Sequence, residues 1–280
     1  MEFLASHLDL WKLIGFGMAV VVFTRYFLTT GVSWLADNTT MSPKLKGKLL
    51  GFSTSVPELV ATVSTAAMGL LGAGLWNIAS SNIINCFLFA AAMLWYRQGG
   101  RLMKRKFVDE VSFAVSAIGL PIFLSVSAGL ERSPYTAIAL VGVFVLYLYL
   151  DGILNRHVRI EYAEETESIA GNHSVASAIG MMLVGILGIS VSGYFLGHTA
   201  ERVVNNLGMP EWGVGWILGF LTSLPELTSF FAVFGEAKQR KEKSDASMQA
   251  NLDNLAASNM ANLGIIFPIG IVVFLLSVSL

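Results

Sequence analysis

Charge is what this sequence has least of. Only 13% of its 280 residues are Asp, Glu, Lys or Arg, about half the share of an ordinary soluble domain. With 54% hydrophobic residues and a mean hydropathy of +0.65, the apolar chain is too long and too continuous to be the core of a water-soluble fold. The single cysteine, Cys86, excludes an internal disulfide, and the four histidines show no metal-ligand spacing, so neither zinc nor redox chemistry is indicated. A net charge of −1, with the basic residues in short loops rather than along one helical face, gives no footing for nucleic acid. An intramembrane protease would need a nucleophile with its base or a metal motif. The sequence has no His-Glu-x-x-His and no paired intramembrane aspartates, so an enzyme is not expected.

What is there is a series of apolar stretches. Spanning a bilayer takes roughly 20 mostly apolar residues, and eight such stretches begin near Leu10, Leu49, Leu75, Val111, Tyr135, Val175, Gly213 and Asn251. The first is too long for a signal-peptide core, and Glu2 and Asp9 precede it, so it reads as a retained helix. Alternate loops differ in Lys and Arg. Of the 18 basic residues, 14 fall on one side: Lys44, Lys46 and Lys48, then Arg97, Arg101, Lys104, Arg105 and Lys106, then Arg156 and Arg159, then Lys238, Arg240, Lys241 and Lys243. The other side has Lys12, Arg132 and Arg202, and the remaining one, Arg25, is embedded in the first span. Positive loops stay cytoplasmic, which predicts a multi-pass protein of the plasma (inner) membrane with both termini outside the cytoplasm and the lipid bilayer as its surroundings.

The chain repeats itself. Gly51-Phe52-Ser53-Thr54-Ser55-Val56-Pro57-Glu58-Leu59 recurs as Gly219-Phe220-Leu221-Thr222-Ser223-Leu224-Pro225-Glu226-Leu227, identical at seven of nine positions. The same offset of 168 matches Tyr26-Phe27-Leu28 with Tyr194-Phe195-Leu196, Asn38 with Asn206 and Met41 with Met209. A second block, Asn77, Ala79, Ser81, Asn82 and Asn85, matches Asn254, Ala256, Ser258, Asn259 and Asn262 at an offset of 177. Five spans separate the starts of the two copies, and an odd number gives them opposite orientations. That is an inverted-topology repeat, the architecture of secondary transporters with a midplane site. The predicted organisation is a first repeat over 1–154 with five helices, a cytoplasmic linker over 155–174 and a second repeat over 175–280 with three helices. The repeated motifs occupy 49–96 and 213–280.

Glu58 lies about 14 Å into its span at 1.5 Å per residue, and Glu226 is about as deep in its own. A charged side chain there costs about 2.5–3.5 kcal/mol even on the lenient insertion scale, so it marks a functional site by default. Thr54, Ser55 and Glu58 cluster on one helical face, as do Thr222, Ser223 and Glu226. Pro57 and Pro225 cannot donate to the carbonyls of Ser53 and Leu221, which predicts a break beside each glutamate. On the next helix Asn77, Ser81 and Asn85 draw a polar stripe, repeated by Asn254, Ser258 and Asn262. Carboxylate, amide, hydroxyl and carbonyl oxygens, with no sulfur or imidazole, suit Ca²⁺ and alkali cations.

The paired Gly-Phe-x-Thr-Ser-x-Pro-Glu-Leu segments, each followed by Asn-x-x-x-Ser-Asn-x-x-Asn, resemble the two alpha-repeats of the calcium/cation antiporter superfamily, in particular its sodium/calcium exchanger branch. The resemblance implies an all-α membrane fold and antiport of transported Ca²⁺ and Na⁺ by alternating access, with no further cofactor. It also implies ligation by Thr54, Ser55, Glu58, Ser81 and Asn85 with Thr222, Ser223, Glu226, Ser258 and Asn262. The first and sixth helices are expected to slide as gates over a core of motif helices. The Gly-Asn motif of the proton/calcium branch does not precede either glutamate. Ser53 and Leu221 stand where the family has Gly, Asn262 where many members have Asp, and Arg25 has Gly193 as its repeat mate. The family has ten spans where eight are counted here, so the last pair is missing, and a homo-oligomer is one way to cover the flank that leaves. Coupling to protons or K⁺, or a scaffold that no longer transports, are the alternatives to Na⁺-driven exchange.

Overall fold

The computed structural model describes residues 2–38, 53–102, 104, 107–127, 129–154, 174–239 and 246–279, all helices and short connections. Helix α1 (Glu2–Phe23), a π-helical segment (Thr24–Thr29) and α2 (Thr30–Asp37) form one continuous rod. There follow α3 (Val56–Ala67), α4 (Leu71–Trp95), α5 (Val108–Val126) and α6 (Pro134–Leu154). The second half has α7 (Val175–Leu207), α8 (Glu211–Thr222), α9 (Leu224–Gln239), α10 (Ala246–Ala261), a second π-helical segment (Asn262–Ile266) and α11 (Phe267–Ser279). The basic loops around Lys44 to Lys48, at Arg105 and Lys106, at Arg156 and Arg159 and at Arg240 to Lys243 lie outside the described residues, as do Gly51, Phe52 and residues 155–173 of the expected linker.

Every one of the eight predicted spans is met by a helix. Seven are long and apolar enough to cross a membrane: Leu8–Leu35, Leu71–Trp95, Val108–Val126, Pro134–Ile153, Val175–Leu207, Glu211–Gly235 and Asn251–Ser279. The eighth, expected from Leu49, is described from Ser53 and includes the 12-residue α3, which at 1.5 Å per residue covers only part of a 30 Å core by itself. The burial pattern is inverted relative to a soluble protein. Glu58, Asn77, Ser81, Asn82 and Asn85 are fully buried, while Phe123, Val126, Tyr149 and Leu187 face outward. Apolar solvent outside removes the usual drive to hide such side chains, and every interior polar group must instead find its partner within the protein.

Without that drive, helices associate by close backbone approach at small residues. Gly215 and Gly219 press α8 against α4: a Cβ on Gly219 would meet the Ser80 hydroxyl and lie 2.8 Å from the Asn77 carbonyl oxygen and 2.9 Å from the Ser81 nitrogen. Ser80 adds a hydrogen bond from its hydroxyl to the Gly215 carbonyl at 3.1 Å. Gly193 and Gly197 do the same for α7 against α3, at Val60 and Ser64. Charges gather at the helix ends. At one end Glu211 accepts from the Ala73 nitrogen at 3.0 Å, capping α4, and Asp9 lies 3.9 Å from Arg202. At the other, Lys238 sits over the Tyr96 ring at 5.9 Å. The two ends therefore carry the described residues of the two loop classes separately, as the alternation of spans requires.

Because the contact at Gly219 includes the backbone of Asn77 and Ser81 as well as the Ser80 hydroxyl, turning that hydroxyl aside does not relieve it. Gly219→Val is expected to destabilise the protein by about 1–3 kcal/mol or to prevent folding, whereas Gly142→Val, where a Cβ meets nothing within 4 Å, should leave the thermal unfolding midpoint in detergent unchanged.

Candidate functional site

The chain breaks where the repeated motif predicts, two residues ahead of each proline. Ser55 (φ −88°, ψ 2°) interrupts the helix before α3, and its repeat mate Ser223 (φ −80°, ψ −3°) separates α8 from α9. Pro57 and Pro225 then occupy the second position of the new helix, where a missing N–H costs nothing because the first turn has no intrahelical acceptor to use. Glu58 and Glu226 follow in the first turn of α3 and α9, so each carboxylate stands at the N-terminal, electropositive end of a half-helix.

A chain of hydrogen bonds runs from the second repeat into the first. The Ser223 hydroxyl donates to Ser81 Oγ at 3.2 Å, and the Ser81 hydroxyl donates to Glu58 Oε1 at 3.1 Å. Thr222 donates to Asn77 Oδ1 at 3.4 Å, and Asn77 Nδ2 donates to the Glu58 carbonyl at 3.3 Å and to Thr62 Oγ1 at 3.1 Å. Thr54 is half-buried one residue ahead of the break. Ser55 lines a small cavity with Val56, Leu59, Ala261, Ile265 and Ile266, on the flank of the π-helical segment that begins at Asn262.

The two stripes meet at an axis formed by residues that lie off both of them. Asn82 Nδ2 donates to the Asn259 carbonyl and Asn259 Nδ2 to the Asn82 carbonyl, both at 3.2 Å. Such reciprocity between equivalent residues is the signature of a two-fold contact, here between the two copies within one chain. The next pair repeats it: Asn85 Nδ2 donates to Asn259 Oδ1 at 3.2 Å, and Asn262 Nδ2 to Asn82 Oδ1 at 2.9 Å. Asn85 and Asn262 thus commit their NH₂ groups to the axial asparagine of the opposite copy, and the Oδ1 of each is left without a hydrogen-bond partner. Asn82 and Asn259 were visible in the repeat alignment, but they fall off the i, i+4, i+8 stripe used to pick site residues.

Among the described residues, ten side-chain oxygens are buried with no hydrogen-bond partner, and six of them belong to this set: Glu58 Oε2, both oxygens of Glu226, Asn85 Oδ1, Asn262 Oδ1 and Ser258 Oγ. A buried acceptor without a donor costs about 1–3 kcal/mol, more when charged. All six belong to the duplicated motif helices and are hard oxygens of the type that Ca²⁺ takes. The first copy is the more tightly held. Ser81 fixes Glu58, whereas its mate Ser258 makes no bond to Glu226, and Asn254 donates instead to Ser229 Oγ at 3.2 Å.

The sequence and fold have known relatives. The profile of the sodium/calcium exchanger protein family matches residues 10–151 and 177–279. A protein named antiporter CaxA, of Alkalimonas amylolytica, is 24% identical over 265 residues, covering 92% of this chain and 78% of that one. The sodium/calcium exchanger MaX1 of Methanosarcina acetivorans is 28% identical over 141 residues, which is 50% of this chain and 39% of the relative. The crystal structure of the H⁺/Ca²⁺ exchanger CAX superposes with a TM-score of 0.59 at 17% identity, over 97% of this chain and 68% of that one. At that identity the likeness is one of fold.

Since Asn82 and Asn259 bond each other and one stripe amide each, either one replaced by Ala should cost about 1–3 kcal/mol. The double variant should cost measurably less than the sum, because the two share their partners. Thermal unfolding of the four proteins in detergent reads both quantities.

Proposed function

This chain belongs to the sodium/calcium exchanger protein family, and from that premise we propose that it is a secondary antiporter that exchanges Na⁺ for Ca²⁺ across the membrane at Glu58 and Glu226. The observation that carries the reading is that six buried oxygens of the duplicated motifs have no hydrogen-bond partner, five of them on the repeat-mate pairs Glu58/Glu226 and Asn85/Asn262. Two carboxylates balance one Ca²⁺ or two Na⁺, and in a low-dielectric interior only a nearly neutral loaded site is tolerated. Either cargo therefore satisfies the same oxygens in turn, which is what antiport at a shared site needs. Glu58, Glu226, Asn85, Asn262 and Ser258 supply ligands directly; Ser81, Thr222 and Ser223 orient Glu58, and Thr54 and Ser55 stand at the broken segment of the first copy. The helix ends bearing Arg97, Lys104 and Lys238 face the cytoplasm, and the first and sixth spans slide as gates over the core of motif helices around the fixed site.

The test is ⁴⁵Ca²⁺ uptake into proteoliposomes loaded in parallel with Na⁺, with K⁺ or at a pH below that outside. Uptake is expected with internal Na⁺ and is expected to fall to background in Glu58→Gln and Glu226→Gln. Uptake that follows the proton or K⁺ gradient and ignores Na⁺ would reassign the coupling ion, and a well-folded protein inactive under all three gradients would sink calcium antiport.

A further inference from the structure

Helix α5 carries a proline in its interior, Pro121, and continues past it. A proline has no N–H to give the carbonyl four residues earlier, so the carbonyl of Ala117 loses its donor within the helix. Ala117 and Pro121 lie on the buried face of α5, which Glu110, Ala114 and Leu124 continue at helical spacing. In hydrocarbon a freed carbonyl must find its partner inside the protein. The partner is the axial asparagine: Asn82 Nδ2 donates to the Ala117 oxygen at 2.8 Å. The NH₂ group of Asn82 is thus engaged twice, by Ala117 and by the Asn259 carbonyl. Its repeat mate is held less well. Besides its bond to the Asn82 carbonyl, Asn259 Nδ2 donates to Cys86 Sγ at 3.7 Å, and a thiol is a weak acceptor. An amide whose donors are engaged by strong acceptors is polarised and accepts more strongly at its own oxygen. The two ligand amides follow that order: Asn262 Nδ2 lies 2.9 Å from Asn82 Oδ1, and Asn85 Nδ2 lies 3.2 Å from Asn259 Oδ1.

We propose that Pro121 is a positioning residue for the cation site: by leaving the Ala117 carbonyl open it anchors Asn82, and through Asn82 it fixes the ligand oxygen of Asn262. This rests on the exchanger reading of the same site. Neither Pro121 nor Ala117 offers the cargo a side-chain oxygen. The line of action runs from the Ala117 carbonyl to the Asn82 amide, to the Asn262 amide, and so to Asn262 Oδ1, one of the buried oxygens without a hydrogen-bond partner. Helix α5 thereby steadies one of the two asparagine ligands more than the other, an inequality that the repeated motifs themselves do not contain.

Pro121→Ala returns an N–H to the Ala117 carbonyl, which then serves two donors and holds Asn82 less firmly. The full chain in detergent is first unfolded thermally without added Na⁺ or Ca²⁺, as wild type, Asn82→Ala, Pro121→Ala and the double variant. Asn82→Ala leaves the Ala117 carbonyl bare, and the added N–H of the double variant gives it a donor again. Pro121→Ala is therefore expected to raise the unfolding midpoint in the Asn82→Ala background and not in the wild type; an equal effect in both backgrounds refutes the anchor. Wild type, Pro121→Ala and Leu124→Ala are then titrated with NaCl and with CaCl₂ at constant pH, and apparent affinities are read from the rise in midpoint. Leu124 shares the buried face of α5, seven residues beyond Ala117. Pro121→Ala is expected to weaken cation binding by about threefold to tenfold, the worth of one hydrogen bond, with little change in the cation-free midpoint. Leu124→Ala, which loosens the packing of the same helix, should lower that midpoint and keep the affinities. Unchanged affinities in Pro121→Ala, or an equal loss in Leu124→Ala, would overturn the positioning role, and this comparison needs no substitution at Asn82 should Asn82→Ala fail to fold. A wild type that binds the cations without exchanging them sinks the exchanger reading and leaves the Pro121 assignment to the same two readouts. One that binds neither cation ends the role in ligation, while the first measurement still decides the anchor.

Discussion

The interaction on which the rest of the site depends is the reciprocal amide pair Asn82–Asn259. In hydrocarbon an unpaired amide has no water to fall back on, so two asparagines buried at the contact of α4 with α10 fix each other's rotamers and the register of the two helices at once. Their remaining oxygens then receive the NH₂ groups of Asn262 and Asn85. An amide has one acceptor and two donors; once the donor end is anchored, the direction of Oδ1 is determined. The orientation of Asn85 Oδ1 and Asn262 Oδ1 is therefore a consequence of symmetry at the axis.

Glycine does the complementary work. The hydrogen bonds from Thr222 and Ser223 to Asn77 and Ser81 need α8 and α4 nearly in backbone contact, and Gly215 and Gly219 are what make that approach sterically open. The two Gly residues lie at i and i+4, the spacing that places both on one face, and Gly219 opens the very motif that carries Thr222, Ser223 and Glu226. Packing and hydrogen bonding are thus written into one stretch of sequence: the residue that lets the helices touch precedes by three and four positions the hydroxyls that bond across the contact.

Most of this was legible because the chain states it twice. Duplication singled out Glu58 and Glu226, the break beside them and the polar stripes, and apolar run lengths gave helices at all eight expected places. The parts that were hidden are those where periodicity gives a poor guide. Asn82 and Asn259 sit one position off the stripe and meet only because the copies are antiparallel, a relation that no single helix displays. Proline marked the right neighbourhood for the break, yet the turn itself falls at Ser55 and Ser223, since a proline in the second position starts a helix more readily than it ends one. The π-helical segments at Thr24–Thr29 and Asn262–Ile266 leave no local mark in composition. The hydrogen-bond chain through Ser223, Ser81 and Glu58 joins residues 142 and 23 positions apart, which only the tertiary fold can bring together.

Near-identical motifs nevertheless sit in unequal surroundings. Glu58 is fixed by Ser81 and backed by Asn77, while Glu226 and Ser258 have no such bonds; α7 is tight on α3 through Gly193 and Gly197, while the corresponding face of α9 at Thr228 and Ala232 is exposed. Sequence explains part of this, since Gly193 answers to Arg25 and Gly197 to Thr29, and neither replacement permits the same close approach. Conformation explains the rest. Two copies related by an axis in the membrane plane open to opposite sides, so a pair in equal conformations would expose the site to both sides or to neither. An inverted repeat that serves one side at a time must therefore hold its halves in different states, and the inequality between two motifs that match at seven of nine positions is the form in which a single structure displays that requirement.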